Sequence, residues 1–175
     1  MHRLTILTAA LLAALVCSSQ AEARSCAIQF TIEITQGVGT IRPGTELAGQ
    51  ADFVTRGHPI RQEGGATAHL ASGEMNIGDQ ISGQIWTLIT TMHGHAPELV
   101  GIYAEDVEGL SFGGVSFEGP MTLTLFGQPG SRASTAAPST QSEWDALDLR
   151  RAFSLHAHGL DMLAGDVTRL DARCT

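Results

Sequence analysis

Four histidines form two His-x-His pairs, the residues whose types and spacing best suit metal chemistry. They are His93, His95, His156 and His158. In an extended strand, residues i and i+2 point to the same face, so each pair would present two imidazoles together. Imidazole binds zinc and copper, and the nearby thioethers of Met92 and Met162 would favour copper. The sequence favours the simpler interpretation, histidines exposed on strands and turns without a ligand, and keeps a copper or zinc site as the alternative.

A second pattern, from Gly109 to Gly113, matches G-x-S-x-G, which carries the nucleophilic serine of α/β-hydrolases. Candidate acids and bases follow in the chain order of that family: Asp145 or Asp148, then His156 or His158. The motif requires a strand, a sharp turn and then a helix, whereas Val115 to Phe117 alternates like a strand. We therefore favour a glycine turn or bulge here over a serine esterase built on Ser111.

Two tryptophans, Trp86 and Trp144, are candidates for a platform on which a sugar ring would stack. Trp86 lies within the apolar stretch from Gln80 to Met92, where a tryptophan more commonly belongs to the core. The sequence thus predicts a core position for Trp86 and leaves a carbohydrate-binding module as an alternative function.

Residues 1–23 have the features of a cleavable secretory signal peptide. The stretch from Leu4 to Val16 is apolar, and Ala21-Glu22-Ala23 matches the small-x-small form that signal peptidase accepts. The apolar run is too short to cross a bilayer as a helix, and no later segment is apolar for long enough. We expect cleavage after Ala23 and a periplasmic or secreted protein without a membrane span.

Removal of the signal would also remove Cys17 and leave two cysteines, Cys26 and Cys174. An exported protein occupies a compartment in which disulfides form and persist. We therefore predict a bond between these two residues, near the two ends of the processed chain. Two free redox thiols are the alternative, but no Cys-x-x-Cys spacing supports it.

The charge composition limits the partners. The chain contains 10 Lys and Arg residues against 18 Asp and Glu residues, for a formal net charge of −8. Nucleic acid and anionic lipid require clustered cations, so an acidic chain of this kind argues against both. An unidentified protein or small ligand is the expected partner.

The elements that must position these residues are short strands. From Cys26 to Thr35, apolar and polar residues alternate strictly, as in a strand with one buried face. Similar segments recur between glycine-rich turns, and Gly57 to Pro59 is expected to break the second of them. Residues 24–175 thus predict one all-β domain, an antiparallel β-sandwich or flattened barrel of about 8–10 short strands. At most one short helix is expected, near 144–151.

Residues 127–142 are rich in Gly, Pro, Ser, Thr and Ala and predict a mobile surface loop through which a partner would be contacted. Taken together, the residues favour an exported, non-enzymatic binding or structural β-domain. A copper- or zinc-binding protein is the main alternative, and a carbohydrate-binding module or a serine esterase is less favoured.

Overall fold

The chain folds into a closed barrel of eight antiparallel strands in a computed structural model that describes residues 23–109, 114–159 and 161–175. Each strand pairs with its neighbours in chain order, and the last strand pairs with the first. The strands are β1 (Arg24–Gln36), β2 (Glu46–Glu63), β3 (Ala66–Ile77), β4 (Ile81–Thr91), β5 (Glu98–Gly109), β6 (Phe117–Gly127), β7 (Arg150–Ala157) and β8 (Met162–Cys174). The predicted all-β flattened barrel is confirmed.

Alternating residues along each strand fill the barrel. In β1, Ile28, Phe30 and Ile32 are buried, whereas the intervening Gln29 and Thr31 face outward. Aliphatic and aromatic side chains from the other strands complete the core, as expected because the interior of an eight-stranded barrel is just wide enough for side chains to fill. The outer face and the two ends are therefore the surfaces on which a ligand would bind.

A five-residue helix, α1 (Gln141–Asp145), contacts the C-terminal part of β8 at the end of the barrel where β1 begins, which we call the cap end. It begins three residues earlier than the predicted region 144–151, because Thr140 and Glu143 form a capping box that fixes the start. Trp144 is completely buried there. No helix within the described ranges is both long and apolar enough to cross a membrane.

The connection that carries this helix also contacts the barrel through polar groups. Glu98, at the start of β5, is completely buried and accepts hydrogen bonds from the Gly130 amide and the Ser131 hydroxyl, both at 3.0 Å. Ala137, farther along the connection, is buried in the core cluster. The segment 127–142 therefore lies against the cap end, and its mobility stays a prediction.

The second strand is longer than the sequence suggests. Gly57 to Pro59 does not end β2, which continues to Glu63, so the predicted break is wrong. The register between β2 and β3 shifts on both sides of Pro59, which pairs with His69. These bulges accommodate a proline in the strand, and β2 is exposed on both faces from Ile60 to Glu63.

A disulfide joins the strands that close the barrel. Cys26 and Cys174 are direct cross-strand partners in the pairing of β1 with β8, and their sulfurs are 2.07 Å apart. The predicted bond is thus confirmed in the structure. It links positions 148 residues apart, so it restrains nearly the whole described chain when the barrel unfolds.

Replacement of both bridging cysteines by serine should lower the free energy of unfolding by up to about 5 kcal/mol, because a long loop gains entropy when it opens. Urea denaturation of the Cys26→Ser, Cys174→Ser variant and of the parent protein measures the difference. The reduced parent protein serves as the control and should match the variant. Equal midpoints for oxidised parent and variant would show that the bond does not restrain the unfolded chain.

Candidate functional site

A groove of about 760 Å³ lies on the outer face of the barrel, across β8, β1, β2, β3 and the start of β4, beside the β3–β4 turn. The Gly78 amide at this turn donates a 2.9 Å hydrogen bond to the Ala48 carbonyl of β2, which fixes the turn against the groove. The volume falls in the range of small-molecule sites, but the lining is largely polar where such sites are usually apolar. The groove therefore suits a hydrophilic ligand.

Five polar side chains cross the groove, one from each of five neighbouring strands. In spatial order they are Asp171, Gln29, Gln50, Asn76 and Ser82. Each is the direct cross-strand partner of the next, so the five form one continuous line perpendicular to the strands, which we call the polar row. With strands about 4.8 Å apart, the row is roughly 19 Å long. A ligand along it would meet a polar group at every strand.

The three members at the centre of the polar row, Gln29, Gln50 and Asn76, are amides. An amide side chain both donates and accepts hydrogen bonds. The Gln50 amide nitrogen donates to Asp52, two residues along the same strand, and this contact orients the amide. At one end of the row, the Ser82 hydroxyl donates to Glu74 of the neighbouring strand β3. The row therefore offers hydrogen-bond donors and acceptors to a ligand, and the contacts with Asp52 and Glu74 orient two of its side chains.

The charged side chains of the groove are mainly acidic. Glu74, Asp79 and Asp171 contribute carboxylates, and Arg169 contributes a guanidinium group. The excess of negative charge repels anionic ligands and favours neutral or cationic ones.

Phe30 forms part of the groove floor because the facing residue of β2 is a glycine. Gly49 pairs with Phe30, and a Cβ built on it would lie 2.2 Å from Cε2 of the ring. Only glycine therefore allows the ring to pack at this point, which couples the packing of the core to the shape of the groove.

The structure does not bring the two His-x-His pairs together. His93 and His95 follow the end of β4, whereas His156 lies at the end of β7 and His158 just beyond it. Three antiparallel pairings separate these two strands, so their C-terminal ends lie at opposite ends of the barrel. The eight residues of β7 alone extend about 25 Å, so one metal ion cannot reach all four imidazoles.

Each histidine pair is exposed and has its own surroundings. A hydrogen bond from the His158 ring to the Glu118 carboxylate raises the pKa of His158. Among the residues that the structure describes, no group of three or more His, Cys, Asp or Glu side chains is arranged to hold a metal ion. Copper or zinc binding by a single pair stays a prediction.

The hydrolase motif falls largely outside the described residues, because these do not include 110–113 and thus omit Ser111. Its candidate partners are separated. Asp145 ends α1 at the cap end, and His156 lies at the opposite end of the barrel. Residues 1–22, which contain the predicted export signal and Cys17, also lie outside the described part of the chain.

The two tryptophans occupy different environments. Trp144 is completely buried under the cap and belongs to the core, so it is not a platform for a ligand. Trp86 is 49% exposed on the outer face of β4, and the predicted core position is wrong. The outward position continues the alternation from the buried Ile81 and Ile85, and a β-bulge at Trp86 then moves the next buried position to Leu88.

A buried histidine that the sequence did not single out lies under the cap. His69 faces the barrel interior from β3 and is 8% exposed. Its Nε2 is 3.0 Å from the Thr135 carbonyl oxygen, which also accepts a hydrogen bond from the Thr90 hydroxyl. Burial lowers the pKa of His69, because the charged ring would lose its hydration. The alternation of β3 places His69 on the inward face, which was the signal that the sequence offered. A single inward histidine does not form a spacing pattern that would mark it as part of a site.

Comparison with protein-family models, with curated proteins and with solved structures found no match for this chain.

His69 should make the protein less stable in acid. Because its pKa in the folded state is below the ordinary value of 6.5, the unfolded chain takes up the proton first, and stability falls as the pH drops below about 6.5. The His69→Gln variant keeps a donor for Thr135 but does not titrate, so its stability should fall less between neutral and mildly acidic pH. Urea denaturation across this range measures the slope.

The His158→Gln variant is the matched control, because the pKa of His158 is raised and its linkage has the opposite sign. Stability from His158 is present at low pH and is lost as the pH rises through the raised pKa. Parallel pH profiles for the parent protein and the His69→Gln variant would contradict the role given to His69.

Proposed function

We propose that this chain is an exported, non-enzymatic binding domain that holds a polar ligand, neutral or cationic, in the groove on its outer face. The single observation that supports this function is the polar row, in which one hydrogen-bonding side chain from each of five adjacent strands lines the same groove. A row of this kind gives a hydrophilic ligand several simultaneous hydrogen bonds, each contributing modestly.

The chemistry of the row favours binding over turnover. The three amides at its centre neither gain nor lose a proton near neutral pH, and amides are poor nucleophiles. Their capacity is to recognise hydroxyl, amine and carbonyl groups by position. We therefore assign the groove a recognition role.

The disulfide supports export. Bonds of this kind form and persist in oxidising compartments such as the periplasm and the extracellular space. The bond between Cys26 and Cys174 would be stable there, in agreement with the secretory signal predicted for residues 1–23. We propose a periplasmic or secreted location on these two grounds.

A thermal-shift panel tests the groove. A ligand that binds the folded state raises the melting temperature, so we would compare neutral gluco-oligosaccharides, the cation spermidine and the anion citrate at equal concentrations. At least one of the first two should raise the melting temperature, and citrate should not. The Gln50→Ala and Asn76→Ala variants should lose most of this increase.

The control variant is Gln62→Ala, which removes an exposed amide near the end of β2, outside the groove. This variant should behave like the parent protein. Stabilisation by citrate alone would contradict the proposal. Stabilisation by any panel member that is equal in the parent protein and the two groove variants would contradict it as well.

A further inference from the structure

The exposed tryptophan near the groove occupies an unusual position in the sheet. The register of β4 shifts at this point against both neighbours. Against β3 the shift lies between Leu70 and Gly73 of β3, and against β5 it lies between Ile85 and Thr87 of β4 itself. Trp86 follows the buried Ile85, so its indole points away from the barrel and is half exposed, and the bulge then places Leu88 inside. A large aromatic side chain held outward by the backbone has a face available for a ligand.

A second aromatic side chain lies on the outer face of the neighbouring strand β5. Tyr103 of β5 pairs with Thr87, the residue after Trp86. Its ring covers the backbone of Gly101, where a Cβ would lie 2.7 Å from Cε2 of the tyrosine. Glycine at this position therefore allows the tyrosine ring to lie against the sheet. We call Trp86 and Tyr103 the aromatic platform.

The aromatic platform and the polar row are connected along one strand. Ser82 ends the polar row on β4, and Trp86 follows four residues later, at a distance of about 13 Å along an extended strand. Gln84 lies between them, is exposed, and pairs with Glu74 of the groove lining. A ligand that contacts both features must be longer than one sugar ring.

The two features match the two surfaces of a sugar. A pyranose ring carries hydroxyl groups around its edge and C–H groups on its face, and the C–H groups pack against the electron-rich face of an aromatic ring. A hydroxyl accepts and donates, so it satisfies both ends of the amides at Gln29, Gln50 and Asn76. An ammonium group only donates, so it offers no acceptor to the amide N–H groups of Gln29 and Asn76. The acidic lining disfavours charged acidic sugars.

We infer that the ligand of the groove is a neutral, linear oligosaccharide whose chain binds along the polar row and continues along β4 to stack on the aromatic platform. The inference rests on the proposed function of the groove and specifies its ligand class. The polar row recognises the hydroxyl pattern of the oligosaccharide, and the aromatic platform favours oligosaccharides long enough to reach Trp86.

Titration calorimetry with glucose and with linear gluco-oligosaccharides of increasing length, in α- and β-linked series, tests this inference. Affinity should rise with length, and the step at which the chain reaches Trp86 should strengthen binding about tenfold. The Trp86→Ala variant should lose this step and bind short chains like the parent protein. The Ile60→Ala variant removes an exposed apolar side chain from β2 and should keep the increase in affinity at this step.

Fluorescence provides a second measurement, because Trp86 is exposed and Trp144 is buried. Acrylamide should quench the fluorescence of Trp86 in the parent protein, and a long bound oligosaccharide should reduce this quenching. If the variants are folded, as their circular dichroism spectra would show, loss of protection in Asn76→Ala together with loss of the length step in Trp86→Ala supports the inference.

Three results would overturn the inference, and they also show whether the proposed function survives. If spermidine binds in a manner that Asn76→Ala removes and no sugar binds, the groove function stands and the carbohydrate inference fails. The groove function also stands, and the inference again fails, if sugars bind through Asn76 and Trp86→Ala leaves the length step unchanged. If sugar binding requires Trp86 but tolerates Gln50→Ala and Asn76→Ala, both the inference and the groove function fail.

Discussion

The pairing of β1 with β8 is the constraint on which the rest of the structure depends. It closes an eight-stranded sheet into a barrel, and the bond between Cys26 and Cys174 fixes it at the cap end. Closure removes the free sheet edges and gives each strand an inner and an outer face. Alternate residues then fill the interior, so recognition is left to the outer face and the ends.

The polar row follows from closure and register together. Gln29 faces outward between the buried Ile28 and Phe30, and its partners across the strands face outward for the same reason. A slip of one residue between two strands would exchange the inner and outer faces of one of them and break the row. The packing of Phe30 against Gly49 opposes such a slip, because a side chain at the glycine position would overlap the ring. The core thus determines where the polar groups of the surface meet.

Much of the fold could be predicted from local pattern, and most of the site could not. The alternation from Cys26 to Thr35 identified the outward Gln29, and the cysteine count identified the disulfide. Which residues oppose Gln29 on other strands depends on register, which local sequence does not encode. The spacing within each histidine pair is visible in the sequence. The opposite directions of β4 and β7, which the sequence does not show, place the two pairs at opposite ends of the barrel. Apolar residues at both odd and even positions surround Trp86, so a core position was expected. A bulge at Trp86 changes which of these positions are buried, and the local pattern does not reveal it.

The central claim is that a barrel with a filled interior binds its ligand on the outer face, along the polar row. The most direct test is an NMR titration of the ¹⁵N-labelled protein with a long neutral gluco-oligosaccharide, with the amide shift changes placed on the structure. We predict changes concentrated at Gln29, Gln50 and Asn76 and at the Trp86 indole N–H. Changes concentrated instead under the cap, around His69 and Trp144, would contradict the claim.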